Sequence, residues 1–406
     1  MNATLGKRWF LIGFISLTIV AIYGTLMRYK IAFDFPFFQQ KHLLHAHSHF
    51  AFSGWISHIL YSGLALFIMP HLSFSRQKLY RILVNLNLVC AFGMLVFFTI
   101  QGYKFSSIAF STLTIFIAIA FSILFIKDSK KLPVNHPSRR WGIVGLLLNI
   151  LSSAGPFTLA YITMTKLNNS ELYLGSVYYY LHFQYSGWFF FGSMALIVKL
   201  LPENFPSLKP YFWIFTSTAV PTFVLSILWA HPPMWLYIIT VLATLTQTLA
   251  WMHLMYKGLT FFKHYPQKYP KWIVVFLFFS AFAITLKFLL QSLSVIPSLS
   301  HLVFGLRPIV IAYLHLVLLG VYSIFIISYC FIKNYIRASK FAIASAIVFI
   351  IGVFLNELFL AIQGFAAFAY IPIPHINELL LLAAFVLLFG AALIVVSQFN
   401  RFKSSF

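Results

Sequence analysis

Runs of about 20 apolar residues recur from one end of this chain to the other, and no other feature limits its fold as strongly. Of its 406 residues, 61% are hydrophobic and only 8% are charged. In hydrocarbon every backbone N–H and C=O must be satisfied within the protein, which leaves α-helices and closed β-barrels. The apolar stretches are continuous and do not alternate every second residue, so a barrel does not fit. The chain is therefore expected to be an all-α, polytopic integral membrane protein with a single transmembrane domain over residues 1–406. Twelve spans are expected, at 9–28, 46–70, 80–101, 105–126, 142–164, 177–200, 211–229, 233–256, 271–294, 308–332, 341–364 and 377–398. No connecting loop is long enough for a soluble domain, and no short solenoid-type repeat is visible.

The formal net charge of +22 would suggest nucleic acid in a soluble protein. Here no such partner is needed, because cytoplasmic loops of membrane proteins collect Lys and Arg. With twelve spans and both termini inside, the outer segments hold only Arg28, Lys30, Lys41, Lys104, Lys166, Lys287 and Arg307. All other Lys and Arg, from Lys7 and Arg8 through the basic stretch Lys127 to Arg140 to Arg401 and Lys403, fall inside. One missed span would scramble that alternation. Cys90 and Cys330 lie inside apolar runs and suggest neither a disulfide framework nor a metal site. Lys7 and Arg8 could open a signal peptide, but the apolar run reaches Tyr23 with no small-residue cleavage site, so a retained first helix is expected.

Histidine is costly in a bilayer unless it has a partner or a task. Four fall within eight residues, His42, His45, His47 and His49, at the mouth of span two. The charge-derived topology also puts His182, His231, His301, His315 and His375 on the outer side, so nine of the 14 histidines gather there. A bland explanation is an interfacial cluster that hydrogen-bonds lipid headgroups. Convergence at one depth from spans two, six, seven and ten favours a site for a metal, for which neutral imidazole is the commonest ligand. In span ten Pro308 suits the first helical turn, and His315 lies eight residues past Arg307, about 12 Å down the helix. Two imidazoles at matched depth would suit a haem iron, with Arg307 above them near the propionates.

Span ten reads Ala312-Tyr313-Leu314-His315-Leu316, with Gly320 following, and span six reads His182-Phe183-Gln184-Tyr185-Ser186-Gly187-Trp188. Together with the His-rich start of span two, these segments resemble, in chain order, the catalytic subunit I of the haem-copper oxidase and nitric-oxide reductase superfamily. The resemblance implies a low-spin haem, b-type, held by a span-two histidine and His315. It implies that His182 binds a second metal beside a high-spin haem, and that His231, in His231-Pro232-Pro233, stands near a span-seven metal-binding pair. The family pattern is incomplete. Tyr313 stands where the high-spin haem ligand belongs, and a phenolate can ligate haem although a packed tyrosine is the commoner case. The span-seven pair is reduced to one histidine. A second haem and copper are therefore doubtful, and so is standard dioxygen reduction.

In span two, His45 and His49 share one helical face while His47 shares the other with His58. The sequence leaves open which of His45, His47 and His49 ligates. Lys287 and Gln291 in span nine, and Glu357 in span eleven, are candidates for a proton path or coupling role, against a snorkelling lysine and ordinary packing. The function expected is haem-linked electron transfer in a bacterial-type inner membrane, with quinol or cytochrome c as donor and a partner subunit. The rivals are a transporter or metal-handling permease that uses the same histidines, recognised by inverted repeats, and an assembly protein that kept the fold and lost the chemistry.

Overall fold

The computed structural model describes residues 2–133, 136–265, 269–299 and 306–399. His301, Lys268, Arg401 and Lys403 lie outside the described residues. All regular structure among the described residues is helical. Among the described residues, eleven helices are long and apolar enough to cross a membrane. They are α1 (Thr4–Ala32), α2 (Gln40–His71), α3 (Phe74–Gln101), α4 (Phe105–Lys131), α5 (Ser138–Thr165), α7 (Lys209–Ala230), α8 (Met234–His264), α9 (Lys271–Leu293), α10 (Arg307–Ile332), α11 (Lys340–Phe368) and α12 (Ile376–Val396). The stretch 170–197, here α6, is also one continuous helical rod. His182, Gln184, Tyr185 and Ser186 in its middle dilute its apolar content. Most helices overrun the expected spans, because a helix continues past the hydrocarbon with polar ends that satisfy its own backbone.

The chain divides into two compact units, Met1–Leu132 with Tyr322–Phe406, and Pro133–Val321. In the first, α2 is the central helix: 89% of its most apolar stretch is buried, against 28–50% for the other ten membrane-length helices. A helix apolar on all sides belongs inside a bundle. Side chains tie its neighbours together. Trp9 Nε1 on α1 donates to Asn85 Oδ1 on α3 at 3.1 Å, and Thr25 Oγ1 on α1 donates to the Ala384 carbonyl on α12 at 3.1 Å. Trp55 Nε1 on α2 donates to Ser323 Oγ on the C-terminal part of α10 at 2.9 Å. The α11–α12 pair meets backbone to backbone. A Cβ on Gly390 would fall 2.4 Å from the Phe349 amide nitrogen, and one on Gly352 would fall 2.7 Å from that of Leu387. Such small-residue contacts are how membrane helices gain dispersion energy where no hydrophobic force drives them together. Between α3 and α4, buried Asp128 accepts from Tyr80 Oη at 3.3 Å and faces Arg76 at 3.5 Å.

The second unit contains α5 to α9 and the first part of α10. Gln184 Nε2 on α6 donates to Asn149 Oδ1 and Ser152 Oγ on α5, both at 2.8 Å. Helix α7 changes character midway. It is α-helical over Lys209–Thr218 and 3₁₀ over Pro221–Ala230, with non-helical torsions at Ile227. Pro221 has no N–H to donate, so carbonyls of the preceding turn lose their helical partners. Side chains take their place: Thr222 Oγ1 donates to Thr218 O at 2.8 Å, and His182 Nε2 on α6 donates to Ala219 O at 2.9 Å.

Candidate functional site: the histidines of α2, α6 and α10

Each of these three helices turns π-helical just after a histidine. The π segments are Ala51–Ser57 in α2, Phe183–Trp188 in α6 and Leu316–Ser323 in α10. A π turn widens the helix and is common at functional sites. It also re-aims carbonyls, and neighbouring helices answer. Asn87 Nδ2 on α3 donates to Ser53 O at 3.1 Å, and Ser280 Oγ on α9 donates to Val321 O at 2.8 Å.

A sequence signal lies beneath this geometry. His49-Phe50-Ala51-Phe52-Ser53-Gly54-Trp55 aligns with His182-Phe183-Gln184-Tyr185-Ser186-Gly187-Trp188, and His315 is likewise followed five residues on by Gly320. His182 is the midpoint, residue for residue, between His49 and His315. The three segments thus form a direct repeat with a period of four helices, too long for a search for short solenoid repeats to reveal. In the second unit two of the repeat glycines admit a neighbour: a Cβ on Gly187 would lie 3.0 Å from Leu148 Cβ, and one on Gly320 3.1 Å from Ala283 Cβ.

The α2 histidines divide between two faces. His47 Nδ1 donates to the Val20 carbonyl of α1 at 3.0 Å, and its ring lies over Gly24. His58, fully buried, donates through Nε2 to the Trp9 carbonyl of the same helix at 2.9 Å. His42, His45 and His49 face the end of α3. His49 stacks on Phe98 at 4.4 Å, and its Nε2 bonds Tyr103 Oη at 2.9 Å. His45 stands edge-on to Tyr103 at 4.5 Å. His42 packs on Gly102, whose φ of +64° and lack of a Cβ make room for the ring.

On α10, His315 Nδ1 donates to the Ile311 carbonyl one turn back at 2.8 Å, and Arg307 is exposed at the helix start. A ring nitrogen bonded to a carbonyl must carry the proton, so the lone pair of His47 and of His315 lies on Nε2, whereas in His58 and His182 it lies on Nδ1. Tyr313 is hydrogen-bonded to Tyr185 of α6, their rings 5.9 Å apart, and Tyr185 also bonds Ser226. His182 is buried among Phe183, Tyr185 and Phe223, while His231 is exposed in a left-handed turn with φ of 50°. Among the described residues no group of three or more His, Cys, Asp or Glu side chains is arranged to hold a metal ion.

Lys287 and Gln291 belong to a longer chain of buried polar groups. Lys287 Nζ donates to Gln291 Oε1 at 2.6 Å, Gln291 Nε2 to Gln247 Oε1 at 2.9 Å, and Gln247 Nε2 to Thr218 Oγ1 at 3.1 Å. All four residues are buried, and Thr218 borders the break in α7. Gln247 and Thr218 went unread in the sequence, although a glutamine inside an apolar span is itself a signal. Glu357 on α11 is half-buried and accepts from neighbouring Asn356 Nδ2 at 3.1 Å.

No protein-family model matches the chain, and no curated protein is significantly similar to it.

Proposed function

We propose that this integral membrane protein binds a low-spin, b-type haem and transfers electrons, as a divergent relative of haem-copper oxidase subunit I. The observation that carries this reading is the tautomer of two histidines. His47 and His315 each give their Nδ1 proton to a backbone carbonyl. That bond places the lone pair on Nε2 and fixes the ring, the arrangement in which metal-bound imidazoles are usually held. In this reading His47 is the span-two ligand, and Arg307 neutralises the haem propionates. His45 and His49 face away from it.

Bound haem would supply reversible one-electron chemistry; the protein supplies the ligands and a shell of buried aromatic and aliphatic side chains. A quinol or cytochrome c would be the donor, with a partner subunit. The chain would cross a bacterial-type inner membrane twelve times with both termini inside, α6 being the least apolar crossing. The second metal has less support. His231 is exposed and Tyr313 bonds Tyr185, which leaves His182, with its lone pair on Nδ1, as a lone candidate ligand, so high-spin haem and copper chemistry form no part of the reading. A direct repeat at α2, α6 and α10 also differs from the inverted repeats that would favour a transporter.

The test is an absorption spectrum of protein purified from cells competent in haem synthesis. A bis-imidazole Soret and α-band pattern is expected, lost in His315→Ala and in His47→Ala and kept in His49→Ala. Wild-type protein that inserts into membranes yet purifies without haem would refute the proposal.

A further inference from the structure

The α2 face opposite His47 holds a second set of imidazoles that the haem reading does not use. His45 and His49 lie one helical turn apart, and side chains at i and i+4 stand about 5–6 Å apart at Cβ. That spacing lets two imidazoles reach one metal, as in the paired histidines of zinc-dependent helices. Both rings pack on the same two neighbours, Phe98 and Tyr103. His45 Nε2 is buried and has no hydrogen-bond partner among the described residues. An unsatisfied buried ring nitrogen is costly and calls for an explanation. The corresponding nitrogen of His49 has one partner, the Tyr103 hydroxyl at 2.9 Å. Tyr103 is 50% exposed, so the pair can be reached from outside the bundle.

We propose that His45 and His49 form a bis-imidazole clamp for a divalent transition-metal ion, copper(II) or zinc, at the open end of α2. Imidazole suits both ions, and copper(II) leads the affinity order for nitrogen sites. The metal replaces the Tyr103 hydroxyl at His49 Nε2 and satisfies His45 Nε2. With only two protein ligands, water fills the remaining positions, and the ion exchanges instead of being locked in. Tyr103 is thus the group that competes with the metal. The site stands independently of the haem proposal, since it uses other side chains on another face.

The test is titration of the purified full-length protein with Cu(II) and with Zn(II), read by equilibrium dialysis and, for copper, by electron paramagnetic resonance. Wild-type protein is expected to bind one ion whose copper spectrum shows coupling to two nitrogens. His45→Ala and His49→Ala should each weaken binding at least about tenfold and leave a single coupled nitrogen. Tyr103→Phe, which removes a competing hydrogen bond, should tighten binding about fivefold. That variant guards against misfolding as the cause, because a damaged site does not gain affinity. His375→Ala, at an exposed histidine paired with Glu378, should change nothing. No binding by wild-type protein, unchanged binding in His45→Ala or His49→Ala, weaker binding in Tyr103→Phe, or loss in His375→Ala would each overturn the proposal.

Discussion

Replacing Gln291 by leucine should expose how strongly the buried polar chain of α7, α8 and α9 is coupled. The Gln291 amide is its middle link, accepting from Lys287 Nζ at 2.6 Å and donating to Gln247 Oε1 at 2.9 Å. Leucine fills much of the same volume, so the loss is mainly polar. One broken bond involves an amine, ordinarily worth about 1.5–3 kcal/mol when charged, and the other is amide to amide, about 1 kcal/mol. Hydrogen bonds between membrane helices average nearer 0.6 kcal/mol, because the unfolded state within the bilayer finds other partners. Taking the lower end of each range, Gln291→Leu should destabilise the protein by about 2 kcal/mol. Lys287→Met removes the group that the amide serves. The double variant should therefore cost at least about 1 kcal/mol less than the sum of the two single variants. Reversible unfolding in mixed micelles, followed by circular dichroism, gives all three values. Additive effects, or a Gln291→Leu change within about 0.5 kcal/mol of zero, would mean that these contacts are not a coupled network.

Two further outcomes follow from the packing and the topology. Gly390→Val should prevent stable assembly of α11 with α12, since its Cβ would lie 2.4 Å from a backbone nitrogen that cannot move aside, whereas Gly175→Ala, with nothing within 4 Å, should be neutral or stabilise by up to about 1 kcal/mol; yield and thermal midpoint report both. Cysteines placed at Lys130 and at Lys166 should react with an impermeant thiol reagent from opposite sides of the membrane, Lys130→Cys from inside and Lys166→Cys from outside, and labelling from the same side would refute the proposed alternation.

The helical architecture was legible in the sequence because hydrocarbon allows so few backbone solutions, and apolar length alone marks most of the helices. Helix α6 tests that logic: its central His182, Gln184, Tyr185 and Ser186 weaken the apolar signal, yet the rod is unbroken because intrahelical bonds do not depend on side-chain polarity. The faces of α2 were legible too, since a period of 3.6 residues separates His47 from His45 and His49. What the periodicity could not supply is the second partner of each ring. Whether a histidine donates through Nδ1, as His47 does, or through Nε2, as His182 does, depends on which carbonyl lies opposite, and a break such as the one after Thr218 in α7 is a tertiary accommodation around Pro221. The π segments were hidden for a similar reason: nothing in Leu316–Ser323 distinguishes it by composition from an ordinary apolar helix. Only comparison with the equivalent stretches of α2 and α6 brings it out.

Those π segments act as phase shifters. In ordinary winding an extra residue displaces everything on one side of it by about 100° around the axis relative to everything on the other, and a π turn absorbs that residue so that the two sides keep their directions. In α2 the C-terminal part is anchored by Trp55 on Ser323 and by His58 on the Trp9 carbonyl, so any change of phase must appear in the N-terminal part, where His42 to His49 project. Deleting one residue from Ala51–Ser57 and restoring ordinary winding would leave the four imidazoles close to their present direction, whereas forcing all seven residues into ordinary winding would swing them by more than a quarter turn, taking His47 off α1 without altering a single histidine. The direction in which this helix aims its imidazoles is therefore encoded below them, in a stretch that contains no histidine at all.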